Sequence, residues 1–121
     1  MHAQHIRVAR PTNDFEAIQR FYCAGLGFKK RFSYRADESR ADPCYMGLAR
    51  DGVVLHVSSF SGDGVAGGVV NLLVDDVDAL YAEFKAKGID IALPPTDQTW
   101  GNREMYVKDA GGNTLRFIRE G

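Results

Sequence analysis

The chain has 121 residues, of which 45% are hydrophobic and 26% are charged. This length and composition are typical of one globular domain and leave too little material for two independent hydrophobic cores. Fifteen basic and sixteen acidic side chains give a formal net charge of −1, so no excess of Lys or Arg favours nucleic acid or an anionic membrane as a partner.

The two cysteines, Cys23 and Cys44, do not have the CxxC spacing of a redox or metal motif. They are expected to be reduced thiols in a cytoplasmic protein. Residues 1–11 lack the apolar stretch of a secretory leader, and no apolar run approaches the length that crosses a membrane. The expected location is therefore cytoplasmic.

The first half of the chain predicts a strand, a helix and three further strands. Residues 5–10 alternate between polar and apolar side chains, which is typical of a strand. Asn13 and Glu16 have the spacing of a capping box at the start of a helix, which Gly25 and Gly27 end. Its apolar face carries Phe15, Ile18 and Tyr22. The further strands are predicted near residues 28–34, 45–49 and 53–58.

Two glycine-containing stretches predict the connections around the last of these strands. In "RDG", Gly52 supplies the positive φ of a hairpin turn between residues 45–49 and 53–58. The stretch "SFSGDGVAGG", residues 59–68, is rich in Ser and Gly and has no hydrophobic pattern. It predicts a flexible connector between the two halves of the chain.

The second half predicts the same order of elements. "VVNLLV" is a strand, and Asp75 or Asp76 caps a helix that Gly88 ends. The helix has an apolar face of Val77, Leu80, Tyr81 and Phe84. "IDIAL" is predicted as a short strand that Pro94 and Pro95 end. "REMYVKD" and "NTLRFI" are predicted to form a hairpin across "AGG".

The two halves align at an offset of 62 residues, which places Asp14 on Asp76 and Tyr22 on Phe84. This internal repeat predicts one domain, residues 1–121, made of two βαβββ modules at about residues 4–60 and 69–119. A unit of about 60 residues buries little apolar surface. The two modules are therefore expected to share a sheet or to pair with a second chain.

Three stretches, "NDFEAIQRFYCAGLGF", "VDDVDALYAEFKAKGI" and "DAGGNTLRF", give the chain a family resemblance over nearly its whole length. In this order the sequence resembles the glyoxalase/bleomycin-resistance/extradiol-dioxygenase, or vicinal oxygen chelate, superfamily. "QTWGNREMYVKD" is most similar to its bleomycin-resistance branch. The resemblance implies an α+β fold in which two βαβββ modules form curled mixed sheets around a cleft. It also implies a homodimer, in which many members exchange modules between chains.

Catalytic members of that superfamily hold a divalent metal through His and Glu side chains on the first and closing strands of each module. The corresponding positions here are Arg7 and Val69 on the first strands, and His56 and Arg116 on the closing strands. An arginine stays protonated and valine has no donor atom, so three of these four cannot bind a metal. The sequence therefore predicts no metal and no other cofactor.

An alternative register keeps a metal site open. Side chains two apart on a strand share a face, so His5 replaces Arg7 if the register shifts by two residues. His5, His56 and Glu104 would then hold Zn, Ni, Mn or Fe in a lyase or dioxygenase of the superfamily's type. Asn71 lies likewise on the face of Val69 but is a poor ligand.

No metal-free catalytic group is evident. The hydroxyls of Ser58, Ser59 and Ser61 have no recognisable base beside them. Arg103 and Glu104 are adjacent on a strand, so they point to opposite faces and do not act as one pair. The sequence therefore assigns no catalytic residue and favours binding over chemistry.

Ligand binding is predicted in a cleft with aromatic walls at the dimer interface. The predicted lining residues are Phe32, Tyr34, Tyr45, His56, Phe60, Trp100 and Tyr106, together with Arg7 and Arg116. Trp100 is expected to face this cleft or the partner chain, the alternative being that it covers its own core. The resemblance implies a metal-free sequestering protein of bleomycin-resistance type, with a bleomycin-like, cationic ligand. Two inward arginines favour an anionic aromatic ligand instead. A third hypothesis is an interaction module whose dimer surface matters more than its cavity.

Overall fold

The computed structural model describes residues 3–7, 15–35, 37–40, 43–60 and 67–121. For residues 3–7 and 15 it describes the backbone only. The predicted helix cap at Asn13, Pro11 before it and the middle of the connector, residues 61–66, lie outside the described residues.

The first half of the chain forms a mixed four-stranded sheet. Its strands are β1 (Ala3–Arg7), β2 (Lys29–Arg35), β3 (Cys44–Arg50) and β4 (Val53–Ser58). They lie in the order β1-β4-β3-β2, with β1 parallel to β4 and the other pairs antiparallel. Asp51 and Gly52 have φ of 48° and 81° in the β3–β4 turn, which confirms the hairpin predicted there.

The second half repeats this topology. Its strands are β5 (Val69–Leu73), β6 (Ile91–Asp97), β7 (Arg103–Lys108) and β8 (Thr114–Arg119). Their order is β5-β8-β7-β6, again with the first strand parallel to the last. The predicted α+β fold of two βαβββ units is confirmed, because both sheets have the same strand order and the same directions.

One helical segment follows the first strand of each sheet. The first segment begins as an α-helix, α1 (Phe15–Gln19), and widens into a π-helix over Arg20–Gly25. The second is α2 (Val77–Ala86), whose N-cap Asp76 accepts a hydrogen bond from the Ala79 amide. None of the described helices has the length and apolar character needed to cross a bilayer.

One hydrophobic core joins the two halves. Its buried members come from the first helical segment (Ile18, Tyr22, Leu26), from α2 (Val77, Phe84) and from the inner faces of both sheets. Each sheet therefore has a core face and a second face, called here its open face. Residues on β3, β4, β7 and β8 alternate between the two faces, as a strand with one buried side requires.

The prediction that Pro94 and Pro95 end strand β6 is wrong. It continues through both prolines to Asp97, with register shifts between Ile91 and Leu93 and between Leu93 and Thr96. Strand β6 lies at the edge of its sheet, so one side of it has no neighbouring strand. A proline, which has no backbone N–H, can therefore stand there without breaking a hydrogen bond between strands. The loop that carries Trp100 is therefore shorter than the sequence indicates.

The described ends of the predicted flexible connector are fixed. Ser59 is fully buried, and its Oγ accepts a hydrogen bond of 2.8 Å from the Cys44 amide. At the other end, the amides of Gly67 and Gly68 donate to Oδ1 of Asn113 at 3.1 and 3.0 Å. A Ser/Gly composition does not reveal such bonds, because its donors and partners lie far apart in sequence.

Candidate functional site

The open face of the first sheet carries a row of residues in strand register. Phe32 on β2 lies opposite Gly47, Gly47 opposite His56 and His56 opposite His5. In the neighbouring row, Tyr34 lies opposite Tyr45, followed by Ser58 and Arg7. The backbone thus places every predicted lining residue of the first module, apart from Phe60, on one sheet face.

Three of these side chains, Phe32, Tyr45 and His56, form a packed group, called here the Phe32 cluster. The Phe32 and Tyr45 rings stack with centroids 6.2 Å apart, and each meets the His56 ring edge-on. The Tyr45 hydroxyl lies 2.8 Å from Nδ1 of His56. Gly47 lets the Phe32 ring lie against the strand, because a Cβ atom there would overlap that ring.

Tyr34 and Phe60 extend this aromatic surface. Their rings stack with centroids 6.0 Å apart, and Tyr34 is 59% exposed. Phe32 is 46% exposed, so the ring that covers Gly47 still offers much of its area to a partner. The first sheet therefore presents a flat aromatic surface with one Tyr–His hydrogen-bonded pair within it.

The open face of the second sheet is organised around a carboxylate. Glu104 and Tyr106 are two apart on β7 and share this face, and Arg116 lies directly opposite Tyr106. These residues with Trp100 and Asn102 are called here the Glu104 cluster. Glu104 is only 4% exposed, whereas Trp100 is 63% exposed.

Three neutral donors hold the Glu104 carboxylate. The Tyr106 hydroxyl donates to Oε1 at 2.7 Å, and the Trp100 indole and Asn102 amide donate to Oε2 at 3.0 and 3.4 Å. Burial raises the pKa of Glu104, but these bonds outweigh it and hold the pKa below its usual value. The hydrogen bond that Tyr106 donates to Glu104 raises the pKa of Tyr106. The cluster thus contains a fixed negative charge and a neutral phenol.

Arg116 belongs to the cluster but is not hydrogen-bonded to Glu104. Its Cζ lies 4.9 Å from the centroid of the Tyr106 ring, a cation–π contact. Its Nε is buried and has no hydrogen-bond partner. The guanidinium is therefore held by the ring beneath it and not by a salt bridge to Glu104.

The structure gathers the predicted site residues into two groups on equivalent sheet faces. Trp100 lies outside the hydrophobic core, so the alternative that it covers the core is wrong. The side chain of Arg7 lies outside the described residues. Sequence reasoning missed Asn102, Gly47 and the structural role of Glu104. The i, i+2 spacing of Glu104 and Tyr106 was the available signal for a shared face.

The strand registers change the test for a metal site. His5 lies opposite His56, and Asn71 lies opposite Arg116. A uniform offset instead selects Arg7 and Val69. Each lies two residues away on its strand, Arg7 from His5 and Val69 from Asn71, and on the same face of its own sheet. The offset fails because the first strands begin at Ala3 and Val69, farther apart than the helices.

The described side chains on these faces do not assemble three metal ligands. The His56 Nδ1 is bonded to Tyr45, and both oxygens of Glu104 are bonded within their own cluster. Arginine and asparagine stand at the equivalent places of the second sheet. Among the described side chains, no group of three His, Cys, Asp or Glu residues converges, although a mononuclear site wants at least three protein ligands.

A cavity of about 430 Å³ lies away from both clusters, between the helices and the two sheets. Leu26, Phe28 and Phe84 line its apolar part. Several of its polar lining residues are already bonded, since Arg50 pairs with Glu83 and Asp76 caps α2. None of the predicted site residues lines it, and we do not assign the site there.

Solved structures with the same fold include proteins that bind antibiotics. A bleomycin-binding protein complexed with bleomycin is 23% identical, with a TM-score of 0.74 over 100% of this chain and 98% of that chain. The bleomycin resistance determinant encoded on transposon Tn5 is 24% identical, with a TM-score of 0.74 over 99% and 97%. The antibiotic-binding protein TnmS3 from Streptomyces sp. CB03234 is 24% identical, with a TM-score of 0.73 over 100% and 97%.

At these identities the structural similarity shows the fold alone. No functionally curated protein matches the sequence. The family model of the Glyoxalase/Bleomycin resistance protein/Dioxygenase superfamily matches residues 4–117, which is nearly the whole chain. The repeated βαβββ topology and this match lead to one conclusion: the chain belongs to the glyoxalase/bleomycin resistance protein/dioxygenase superfamily.

Proposed function

We propose that this protein binds and sequesters a small molecule without a metal, in clefts that two copies of the chain form together. In each cleft the Phe32 cluster of one chain faces the Glu104 cluster of the other. The ligand is a flat molecule that stacks between the aromatic rings of the two faces.

The placement of exposed apolar side chains carries this proposal. The large hydrophobic side chains that are exposed in the described part of the chain are Phe32, Tyr34, Val69, Leu73 and Trp100. The first four project from the open faces, and the fifth is bonded to Glu104 on an open face. Apolar side chains concentrated on the two open faces mark binding surfaces, whereas scattered ones do not.

A second copy and a ligand together account for both kinds of exposed residue. Val69 and Leu73 on β5 are aliphatic and 52% and 64% exposed, which suits a protein contact. The aromatic rings of the two clusters lie beside half-buried polar groups, His56 and Arg116. That combination of flat apolar walls and a few fixed polar groups is typical of small-molecule sites.

Ligand binding is tested by titration of the single tryptophan. Trp100 fluorescence is followed while bleomycin and a panel of flat aromatic compounds of each charge are added. A saturable change with at least one compound supports the proposal, and Phe32→Ala is expected to weaken it at least about tenfold. Ser33→Ala, on the same strand but the opposite face, is the control. A panel without any saturable response contradicts ligand binding and favours an interaction module.

The dimer is tested by sedimentation velocity. The chain is expected to sediment as a dimer, and Leu73→Asp is expected to produce monomers because it places a charge in the proposed contact. Ala86→Asp adds the same charge at an exposed position of α2 and is the control. A monomeric chain contradicts the interface clefts.

The metal-dependent alternative is favoured by one observation, the register that places His5 opposite His56. Metal content after dialysis against Zn²⁺, Ni²⁺, Mn²⁺ and Fe²⁺ in turn separates the two functions. We expect no stoichiometric retention. A retained ion that His56→Ala releases would establish the enzyme hypothesis.

A further inference from the structure

Arg116 differs from the other half-buried arginines because its charge is not matched by a bonded acid. Arg50 forms a two-pronged ion pair with Glu83, and Arg103 is bonded to Asp78 and Asp97. Among the residues that the structure describes, Arg116 has neither a hydrogen bond nor an ion pair. Its guanidinium instead makes a cation–π contact with the Tyr106 ring.

The nearby acid is not available to fill this gap. Both oxygens of Glu104 already accept hydrogen bonds from Tyr106, Trp100 and Asn102. These donors are neutral, so they hold the carboxylate in place and leave its negative charge unpaired. The carboxylate is not hydrogen-bonded to the Arg116 guanidinium. Glu104 still offsets the charge of Arg116 through space, which makes a half-buried guanidinium tolerable before any ligand arrives.

A buried N–H without an acceptor costs free energy until an acceptor is supplied. The Nε of Arg116 is such a group. The two terminal nitrogens beside it are not fully buried, and they belong to the flat fork that pairs best with planar oxyanions. The Tyr106 ring lies under the guanidinium, so an acceptor must approach at its edge. The exposed Trp100 ring, bonded to the same Glu104, supplies a flat apolar surface in this cluster.

We propose that Arg116 is an oxyanion subsite, and that the ligand carries a carboxylate joined to an aromatic ring. The carboxylate pairs with the terminal nitrogens of the Arg116 guanidinium, and the ring stacks on Trp100. This rests on the proposed function and adds the chemical class of the ligand. A cationic ring would instead meet the positive charge of Arg116, so the subsite disfavours it.

Three probes of the same shape and different charge test the proposal: 1-naphthoate, 1-naphthylmethanol and 1-naphthylmethylammonium. Isothermal titration calorimetry of the full chain is expected to show naphthoate binding at least about tenfold more tightly than either of the others. Arg116→Met keeps the length of the side chain and removes its charge. It is expected to abolish the preference for naphthoate while the affinity for naphthylmethanol changes less than about threefold.

Two further variants sharpen the result. Arg119→Met removes a charge from the same strand at an exposed position and is expected to leave all three affinities unchanged. Arg116→Lys keeps the charge without the planar fork and is expected to recover only part of the preference.

Equal affinity of the unaltered protein for all three probes overturns the inference while leaving small-molecule binding intact. A preference that survives in Arg116→Met also overturns it, and so does a loss of all three affinities to the same extent. If none of the three probes binds, the inference fails, and with no response from the compound panel the proposed function fails with it. The charge preference of the unaltered chain needs no variant, so a misfolded Arg116→Met protein does not prevent the test.

Discussion

The hydroxyl of Tyr22 donates a hydrogen bond of 2.7 Å to Oδ2 of Asp109, and this bond joins the first helical segment to the β7–β8 turn. Tyr22 is fully buried and Asp109 is 6% exposed. The remaining donors to Asp109 come from its own turn, the amides of Gly111 and Asn113 and the Asn113 side chain. The Tyr22 bond is therefore a direct polar link between the two halves of the chain.

Tyr22→Phe is expected to lower the free energy of unfolding by about 2 kcal/mol. The variant keeps the packed ring and removes one donor to a buried carboxylate. Urea denaturation measures the change. Tyr81→Phe is the matched control, because the Tyr81 ring is only partly buried and its hydroxyl has no hydrogen-bond partner among the described residues. Equal stability of the two variants would show that the bond contributes nothing.

The same bond makes stability depend on alkaline pH. Burial, and then the charge and hydrogen bond of Asp109, raise the pKa of Tyr22 well above its ordinary value. Above pH about 10 the unfolded tyrosine loses its proton while the folded one keeps it, so folding becomes less favourable. Unfolding free energies measured between about pH 9 and 11 are expected to fall more steeply for the unaltered chain than for Tyr22→Phe. Parallel curves would contradict this.

The fold could be predicted from the sequence because its repeat is carried by local signals. The caps, turn glycines and apolar helix faces occur in the same order twice, and each acts within a few residues. The continuation of β6 through Pro94 and Pro95 could not be predicted, since it depends on β6 lying at the edge of the sheet.

The candidate site was predictable in its members but not in its bonds. Strand alternation places Tyr45 and His56 on the open face of the first sheet and Tyr106 on the open face of the second. The hydrogen bond between Trp100 and Glu104 depends on how the loop that carries Trp100 folds back onto β7. Sequence spacing does not determine that loop conformation. The strand register that pairs His5 with His56 was likewise missed by a uniform offset, because the connections before the two helices differ in length.

A second link between the two halves is the ion pair of Arg50 with Glu83. Two bonds of 2.7 and 3.0 Å join them, and Arg50 also donates to the carbonyl of Leu26 at 2.6 Å. Glu83→Gln is expected to lower the free energy of unfolding by about 1 kcal/mol, because the pair is only partly exposed and two-pronged. Asp51→Asn removes the other, 85% exposed acid of Arg50 and is expected to cost less than about 0.5 kcal/mol. Denaturation curves that show the reverse order would exclude this role for Glu83.

Glu104 is expected to position the Trp100 ring. In Glu104→Gln the amide nitrogen cannot accept a hydrogen bond. It either faces Trp100, whose bond is then lost, or faces Tyr106, whose hydroxyl must accept a bond instead of donating one. Time-resolved fluorescence anisotropy is expected to show faster local motion of the indole. Stability is expected to fall by about 1–3 kcal/mol. Glu120→Gln, at an exposed position, is the control, and an unchanged stability of Glu104→Gln would refute the role.

The pKa of Glu104 sets the pH at which this difference appears. Burial raises it, but the three hydrogen bonds lower it further, so the folded pKa lies below the unfolded value of about 4.3. The contribution of the carboxylate is therefore present above that value and is lost as pH falls through the folded pKa. The difference in stability between the unaltered chain and Glu104→Gln is expected to be constant near neutral pH and to shrink toward pH about 3. A difference that grows in acid would contradict it.

Gly47→Ala separates ligand binding from folding, because the three atoms nearest to the added Cβ belong to the Phe32 ring. The nearest atoms to a Cβ at Gly47 all belong to that ring, which is 46% exposed and lies on the end strand β2. The ring can swing outward at small cost, so thermal denaturation is expected to show a loss under about 1 kcal/mol. The stacking of Phe32 on Tyr45 and its edge contact with His56 would then be broken. Binding of any ligand that responds to Phe32→Ala is expected to weaken by a similar factor in Gly47→Ala. A ligand whose affinity falls in Phe32→Ala but not in Gly47→Ala would show that the area of the ring matters and its position over Gly47 does not.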